Sequence, residues 1–580
     1  MKTMKTLILH INLILLPLIG AAQITVPLRF DRYNTYQEVV ESVKALNKAY
    51  PSLTKAVLVG KSEEGREIWA LEINNPVTGE AKDKPGVYAD GNIHGNEIQG
   101  GEVVLYLADY LLKNYGKIPN ITKIVDRNAF YLIPVVNVDG RFHFMADGHT
   151  MNSSRSLRIP VDDDKDGLFD EDGYEDLDGD GNICRMRIKD PNGKYRTDPR
   201  EPRLMVRVKE GEKGEWTILS YEGIDNDQDG KLNEDAEGYV DANRNWGFDW
   251  HPNYVEPGSG RFPFEGVGLR DIADYMKNRP NIIVVYAFHN FGGMYLRGPS
   301  NKDLGELIKE DIAVYDLLGK NAEKIVPGYK YLVSYKDLYP TTGDFTEFTH
   351  QVFGAYGFVA ELYMRDQETY VKGSEAERKP SDPDPDNPNS REIERLKFND
   401  NLANGTLFKN WTPFKHPVYG DIEIGGWIKY STRMPHTFML PDLVHRNAEA
   451  VIYAASQTPE ITLELIGTKK LEGNLYQVDV RLKNTRAIPS MSYHAVKQKL
   501  YTKDILKLSG AKVVAGGEIT DRYNNKVRYK KYKPEIQFLQ VPGYGISEFR
   551  FLVEDASSVN LSYESVKAGK RTLTINLKKT

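Results

Sequence analysis

In the stretch GNIHGNEIQG, residues 91–100, His94 stands three residues before Glu97 between glycines, directly after the strand-like run GVYAD. An imidazole and a carboxylate so close in the chain can share a proton or a metal ion. A lone H-x-x-E pair carries little weight in a chain with 11 histidines and 82 acidic residues. Its position adds weight, because open α/β sheets bind ligands beyond the carboxyl ends of their strands. His289 ends another apolar run, NIIVVYAFHN, and is followed by FGG, which puts it on the same predicted sheet edge. Two histidines and a glutamate form a catalytic zinc set, which leaves one coordination position open and acidifies water toward neutral pH. His94, Glu97 and His289 are therefore the expected zinc ligands.

A second chemistry is written in aspartates. The run DDDKDGLFDEDG sets Asp162, Asp164 and Asp166 at alternate positions before Gly167, then adds Asp170 and Asp172. DLDGDGNI repeats the spacing with Asp176, Asp178 and Asp180, and DNDQDGKL with Asp225, Asp227, Asp229 and Gly230. Alternate carboxylates with a glycine after them are how a loop wraps oxygens around calcium. So many carboxylates at close range also repel one another without a cation. Structural calcium is the expectation.

The elements that must carry these residues are legible from periodicity. Val39, Val40, Val43 and Leu46 share one helical face between Tyr36 and Tyr50. Strand-like runs follow at KAVLVG, EIWALEI, GVYAD and AFYLIPVV, with a helix from about Glu97 to Tyr115. NIIVVYAF, YKYLVSY and GFVAELY, and a helix from about Pro441 to Ser456, continue the alternation. Continuous apolar strands between helices predict an α/β sheet with helices on both faces. Two stretches interrupt it. Residues 161–237, dense in Asp and Gly, read as an insertion, and KPSDPDPDNPNS, within 379–390, as a surface loop. After Pro459 the pattern changes to period two, as in LYQVDVRLKN and EFRFLVED, which predicts an all-β, sandwich-like domain over 459–580 with no evident chemistry of its own.

Residues 1–22 combine Lys2 and Lys5, an apolar run and small residues at Gly20, Ala21 and Ala22, the pattern of a cleaved signal peptide. The expected mature chain is exported, periplasmic or extracellular, and free of the membrane. The single cysteine, Cys184, excludes an intrachain disulfide. A formal charge of -6 offers no basic footprint for nucleic acid.

Five separated pieces, GKSEEGREI at 60–68, HGNE at 94–97, DANRNW at 241–246, AFHN at 287–290 and AELYMRD at 360–366, resemble the zinc carboxypeptidases related to pancreatic carboxypeptidase A. The resemblance runs from about Tyr36 to Ser456 and implies a catalytic domain over 23–458 with a mixed central sheet. It implies Glu361 as the general base, Asp241 as the hydrogen-bond partner of a zinc-ligating histidine, and Asn243 and Arg244 as the clamp on a substrate's terminal carboxylate. It implies Tyr339 as a mobile cover over the substrate's end. Either Arg155 or Arg158 would stabilise the oxyanion, and Arg158 is the preferred assignment. Asn96 stands where the pancreatic enzymes carry a substrate-contacting arginine, and the side-chain pocket falls near Thr346 and Glu347 without naming a preferred residue.

The function these expectations favour is removal of C-terminal residues from peptides or proteins with a free C-terminus. Trimming of cell-wall peptides, or deacylation of N-acyl amino acids, would keep the zinc and change the substrate. A calcium-stabilised binding module on an inactive scaffold is the non-enzymatic alternative, against which Glu361 speaks. Nothing in the sequence names a partner for the C-terminal domain.

Overall fold

A computed structural model describes residues 26–162, 167–364 and 389–577. The leader-like segment 1–22, Asp164, Asp166 and residues 379–388 of the acidic, proline-rich run lie outside the described residues.

The central sheet has eight strands. In chain order they are β1 (Thr54–Lys61), β2 (Glu67–Ile73), β3 (Gly86–Gly91), β4 (Ala129–Ile133), β5 (Ile282–Asn290), β6 (Met294–Arg297), β7 (Lys330–Val333) and β8 (Tyr356–Leu362). Across the sheet they run β1-β2-β4-β3-β5-β8-β6-β7. The centre is parallel: β3 pairs with β4 and with β5, and β5 with β8. β1 and β2 at one edge, and β6 against β8 toward the other, run antiparallel, so the sheet is mixed. β3 and β5 are buried at every residue, which explains their unbroken apolar sequence.

Helices α1 (Tyr36–Ala49), α2 (Gln99–Asn114), α3 (Val267–Lys277), α4 (Lys309–Ile325), α5 (Phe345–Phe353) and α6 (Leu440–Ser456) cover it. α1 opens with a capping box in which Thr35 and Glu38 satisfy each other's backbone amides. β3 shows that both faces are covered. A Cβ on Gly91 would lie 2.3 Å from the Gly100 carbonyl carbon of α2, while the Tyr88 ring packs 5.7 Å from Phe345 of α5. Residues 88 and 91 point to opposite faces of a strand.

The insertion is more than a loop. Arg185–Lys189, Tyr195–Asp198, Glu201–Arg207 and Trp216–Tyr221 join Phe408–His416 and Gly420–Trp427 in a six-stranded sheet. Cys184, Met186, Ile422 and Ile424 form its small core. The acidic turns sit around this scaffold, a difference from the sequence expectation that arises because short strands among charged residues leave a weak periodic signal.

Beyond α6, a five-stranded and a four-stranded sheet enclose a separate core. Val478, Val480, Leu482, Phe549 and Phe551 come from one sheet, and Leu506, Leu508, Val559, Leu561 and Tyr563 from the other. All their pairings are antiparallel. Among the described residues no helix is long and apolar enough to cross a membrane.

Candidate metal centre and cleft

The turn after β3 is held from within. Asn92, at a positive φ of 61°, donates from its side-chain amide to the carbonyls of His94 and Gly95, both at 2.8 Å, and accepts from Arg141 Nη1 at 2.7 Å. Glu97 leads into α2, and its backbone amide bonds the His94 carbonyl at 3.1 Å. His289 is the penultimate residue of β5, and Glu361 of β8 is its register partner. Two parallel strand ends and one rigid turn thus bring His94, Glu97, His289 and Glu361 to one edge of the sheet.

His94 Nδ1 lies 3.0 Å from Glu97 Oε1, His289 Nδ1 lies 3.2 Å from Glu97 Oε2, and the two Nδ1 atoms are 3.3 Å apart. All three side chains are buried. Two imidazole nitrogens facing each other beside a carboxylate, away from water, fit a shared cation. His94 Nε2 adds a second test, for it meets Asp241 Oδ1 at 3.0 Å and Arg155 Nη2 at 2.8 Å. Asp241 calls for a proton on Nε2 and Arg155 for a lone pair. A cation at Nδ1 fixes the first choice and leaves the Nδ1 lone pair as ligand. The donor set of two nitrogens and a carboxylate suits zinc.

The charges around it are strongly coupled. Burial works against ionised Glu97, but His94 and His289 outweigh it and hold the carboxyl well below the usual range. Burial likewise opposes Asp241, and His94, Arg155 and Arg244 overcome it. Glu361 goes the other way: burial pushes it up to about 7, with Glu97 adding to the rise and His289, Arg155 and Arg433 opposing it.

Of the two candidate oxyanion arginines, Arg155 lines the cleft and the preferred Arg158 does not. Arg158 pairs with Glu237 of the insertion and reaches back to Ser154 Oγ at 3.5 Å, outside the cleft. Arg155 lines the cleft, donating to Glu97 Oε1 at 3.1 Å and from Nη2 to Asp241 Oδ2 at 3.2 Å. The two arginines are three residues apart in an irregular segment, so sequence spacing does not say which one turns inward.

The cleft, about 370 Å³, also takes in Asn243, Arg244, Tyr339 and Thr346. Asn243 is fixed by its backbone amide to Asp241 Oδ1 at 2.7 Å and by its Oδ1 to the Phe345 amide at 2.9 Å. Arg244 is braced by Glu256 Oε1 at 3.1 Å and by the Asn243 carbonyl at 2.8 Å. Tyr339 is 48% exposed at the rim, following the helical turn Ser334–Leu338. Asp344, which caps α5 through the Glu347 amide, contributes to the lining. Glu347 does not: it accepts from the Ser300 amide at 3.1 Å and from Gln351 Nε2 at 2.7 Å.

Arg433 is a residue that sequence reasoning missed. It enters the cleft from 336 positions beyond Glu97, with Nη2 at 3.4 Å from Glu97 Oε1 and 3.1 Å from the Asn290 carbonyl. Asn96 donates from Nδ2 to the Met151 carbonyl at 3.4 Å. A single arginine in STRMPHTF gives no local signal.

The acidic turns separate by their surroundings. Asp162 Oδ2 accepts from the Gly167 amide at 3.2 Å. Asp170 Oδ1 accepts from the Val161 and Gly238 amides, at 3.2 and 3.5 Å, and so fastens the two ends of the insertion instead of standing free as a ligand. Asp176 accepts from the amides of Gly179, Asp180 and Gly181, while Lys409 pairs with both Asp178 and Asp180. Ligand oxygens of Asp176, Asp178 and Glu222 also lie within 4.8 Å of one another, but here a protein ammonium already pairs with one of the three. Asp172, Asp225 and Asp227 form a second group, and Asp227, Asp229 and Glu234 a third that shares Asp227 with it.

Residues 39–168 match a family described as zinc carboxypeptidase. That segment of the chain is similar to the family. Human carboxypeptidase D is 38% identical over 110 residues, 19% of this chain and 8% of that protein. Mouse carboxypeptidase M is 31% identical over 127 residues, 22% of this chain and 27% of that protein. The chain thus spans only a small part of the length of the curated relatives it matches. A solved carboxypeptidase A from Helicoverpa armigera aligns with 58% of this chain and 66% of its own at 20% identity and a TM-score of 0.39. Residues 460–576 match a domain of unknown function.

Proposed function

We propose that the chain is an exported zinc-dependent carboxypeptidase with a catalytic domain over 23–458 and a β-sandwich-like domain over 459–580. The observation that carries the reading is the convergence of His94 Nδ1, His289 Nδ1 and the Glu97 carboxylate beside Glu361, in a cleft that also holds a braced Asn243 and Arg244. Zinc held by His94, Glu97 and His289 would supply Lewis acidity and lower the pKa of water. Asp241 orients the His94 ring. Glu361, buried and with its pKa raised, is suited to take a proton from the attacking water and hand it to the leaving amine. Arg155 faces the charge that develops on the scissile carbonyl oxygen. The Arg244 guanidinium, with Asn243, would hold the terminal carboxylate of the peptide. Tyr339 lies at the rim, where it can fold over the substrate's end. The proposal extends to calcium in the acidic insertion, whose alternate aspartates offer oxygen ligands alone.

The test is release of free amino acids from a mixed peptide library by the purified protein, with and without a zinc chelator, beside Glu361→Gln. Chelator-sensitive release of C-terminal residues, falling by about 100-fold or more in the variant, is expected. No release from any peptide would sink the general exopeptidase reading, and release unaffected by Glu361→Gln would remove its role as base.

A further inference from the structure

The three acidic turns share one spacing in sequence, but one group differs in its burial and its neighbours. Asp172 is 1% exposed, and neither of its carboxylate oxygens closes a hydrogen bond with the protein. The backbone amides of Asn226 and Asn233 lean toward it without reaching that geometry. Ligand oxygens of Asp172, Asp225 and Asp227 all lie within 4.8 Å of one another, as do those of Asp227, Asp229 and Glu234. Asp225 Oδ1 and both Glu234 oxygens are likewise buried without a donor, and the Glu234 carboxyl meets that of Asp229. Two oxygens on one calcium ion, each about 2.4 Å from it, are at most about 4.8 Å apart, so the triad Asp172, Asp225 and Asp227 by itself has the span of a single coordination sphere. Among the described residues the only ion-pair cation here is Lys231, 64% exposed, and it holds Asp229 at the rim. Gly230, at φ 93°, makes the sharp turn that lets Asp225, Asp227 and Asp229 face inward.

We infer that Asp172, Asp225 and Asp227 form a calcium site, with Asp229 and Glu234 gathered beside it through Asp227, and that the Asp176 turn closed by Lys409 does not. This deepens the calcium part of the proposed function and rests on it. The ligands are all oxygen, which suits calcium and disfavours zinc, and backbone carbonyls and water complete the six to eight positions the ion requires. The site is also a clasp. Asp172 lies on the outgoing limb of the insertion, and Asp225, Asp227 and Glu234 on the returning limb. The limbs meet again at the neck, where the Leu157 amide bonds the Val240 carbonyl at 2.8 Å and Asp170 fastens Val161 to Gly238. Arg155 stands just before that neck and Asp241 just after it, so the ion fastens a segment whose two ends line the cleft.

The experiment is calorimetric titration of calcium into the chelator-treated full chain, with thermal unfolding and limited proteolysis of the insertion read in parallel. The wild-type chain should bind calcium and gain resistance to cleavage between residues 161 and 237. Asp172→Asn and Asp225→Asn should each weaken binding at least tenfold and lose the protection, while Asp178→Asn leaves both unchanged. Two variants guard against a folding defect in one, and zinc retention reports on the cleft independently. Calcium binding lost in Asp178→Asn but kept in Asp172→Asn would overturn this site and leave calcium in the insertion standing. No calcium binding by the wild-type chain would sink both.

Discussion

Around Glu97 and Asp241 the protein supplies its own cations, whereas around Asp172 and Asp225 it supplies almost none. In the cleft Arg155 bonds both Glu97 and Asp241, and Arg433 approaches the same oxygen of Glu97. In the insertion the Asp176 turn receives Lys409, while the neighbouring group is left with an exposed Lys231 on one of its carboxylates. The difference separates two uses of acidic side chains. Where fixed guanidiniums share the site, the carboxylates stay ionised and oriented, as orienting a histidine or facing a substrate demands. Where no buried cation is provided, carboxylates crowd until an ion from solution completes them. The motif is the same in both halves of the insertion, and only the partner differs.

Removing cations one at a time tests that contrast. Arg155→Ala should lower kcat/KM about 100-fold to 1,000-fold, while Arg158→Ala, which breaks only contacts outside the cleft, with Glu237 and Ser154, should change it less than about threefold. Equal losses in the two variants would mean that the cleft arginine is wrongly assigned. Next in size is Lys409→Met. It should make the Asp176 turn resemble its neighbour, with a stability loss on the order of 2 kcal/mol in calcium-free buffer that added calcium partly restores. A calcium-insensitive loss would show that Lys409 serves packing and not charge.

A third prediction concerns the mirror image, a buried cation without an acid. Lys567 of the C-terminal region donates to the Pro280 carbonyl at 3.0 Å and to that of Ile282, and its ammonium lies 4.9 Å from the Tyr501 ring centre. Burial lowers its pKa from 10.5 to about 7. The unfolded chain therefore binds more protons there between pH 7 and 10.5, and folding stability should rise with pH across that window. The slope is at most about 1.4 kcal/mol per pH unit, and it should vanish in Lys567→Met, measured as the difference between the two denaturation curves. A slope that survives the substitution would assign the titration to another group.

Much of the fold was legible. The largely apolar runs at 86–90 and 281–288 announced strands of a sheet covered on both faces, and the two-residue period after Pro459 announced the sandwich-like sheets. Met294–Arg297 and the strands of the insertion were not foreseen, for they are short and rich in charge. His94, Glu97 and His289 stood out because each lies at or just beyond the end of a strand. Arg433 did not, since no residue beside it hints at a cleft 336 positions back in the chain. Arg155 and Arg158 could not be told apart, because in an irregular segment the inward residue is chosen by its partners.

The sequence by itself determined the periodic elements, the turns that present histidine and carboxylate at strand ends, and the alternate aspartates that face the inside of a loop. These depend on dihedral preferences and on spacings of a few residues, which local physics resolves. Only the tertiary structure decided which arginine enters the cleft and which acidic turn keeps its charge unbalanced. Lys409 lies 231 residues from Asp178, and Asp172 meets Asp225 only after the insertion has folded back on itself. Coulomb and hydrogen-bond energies depend on distance through space, and between such partners that distance exists only in the folded chain.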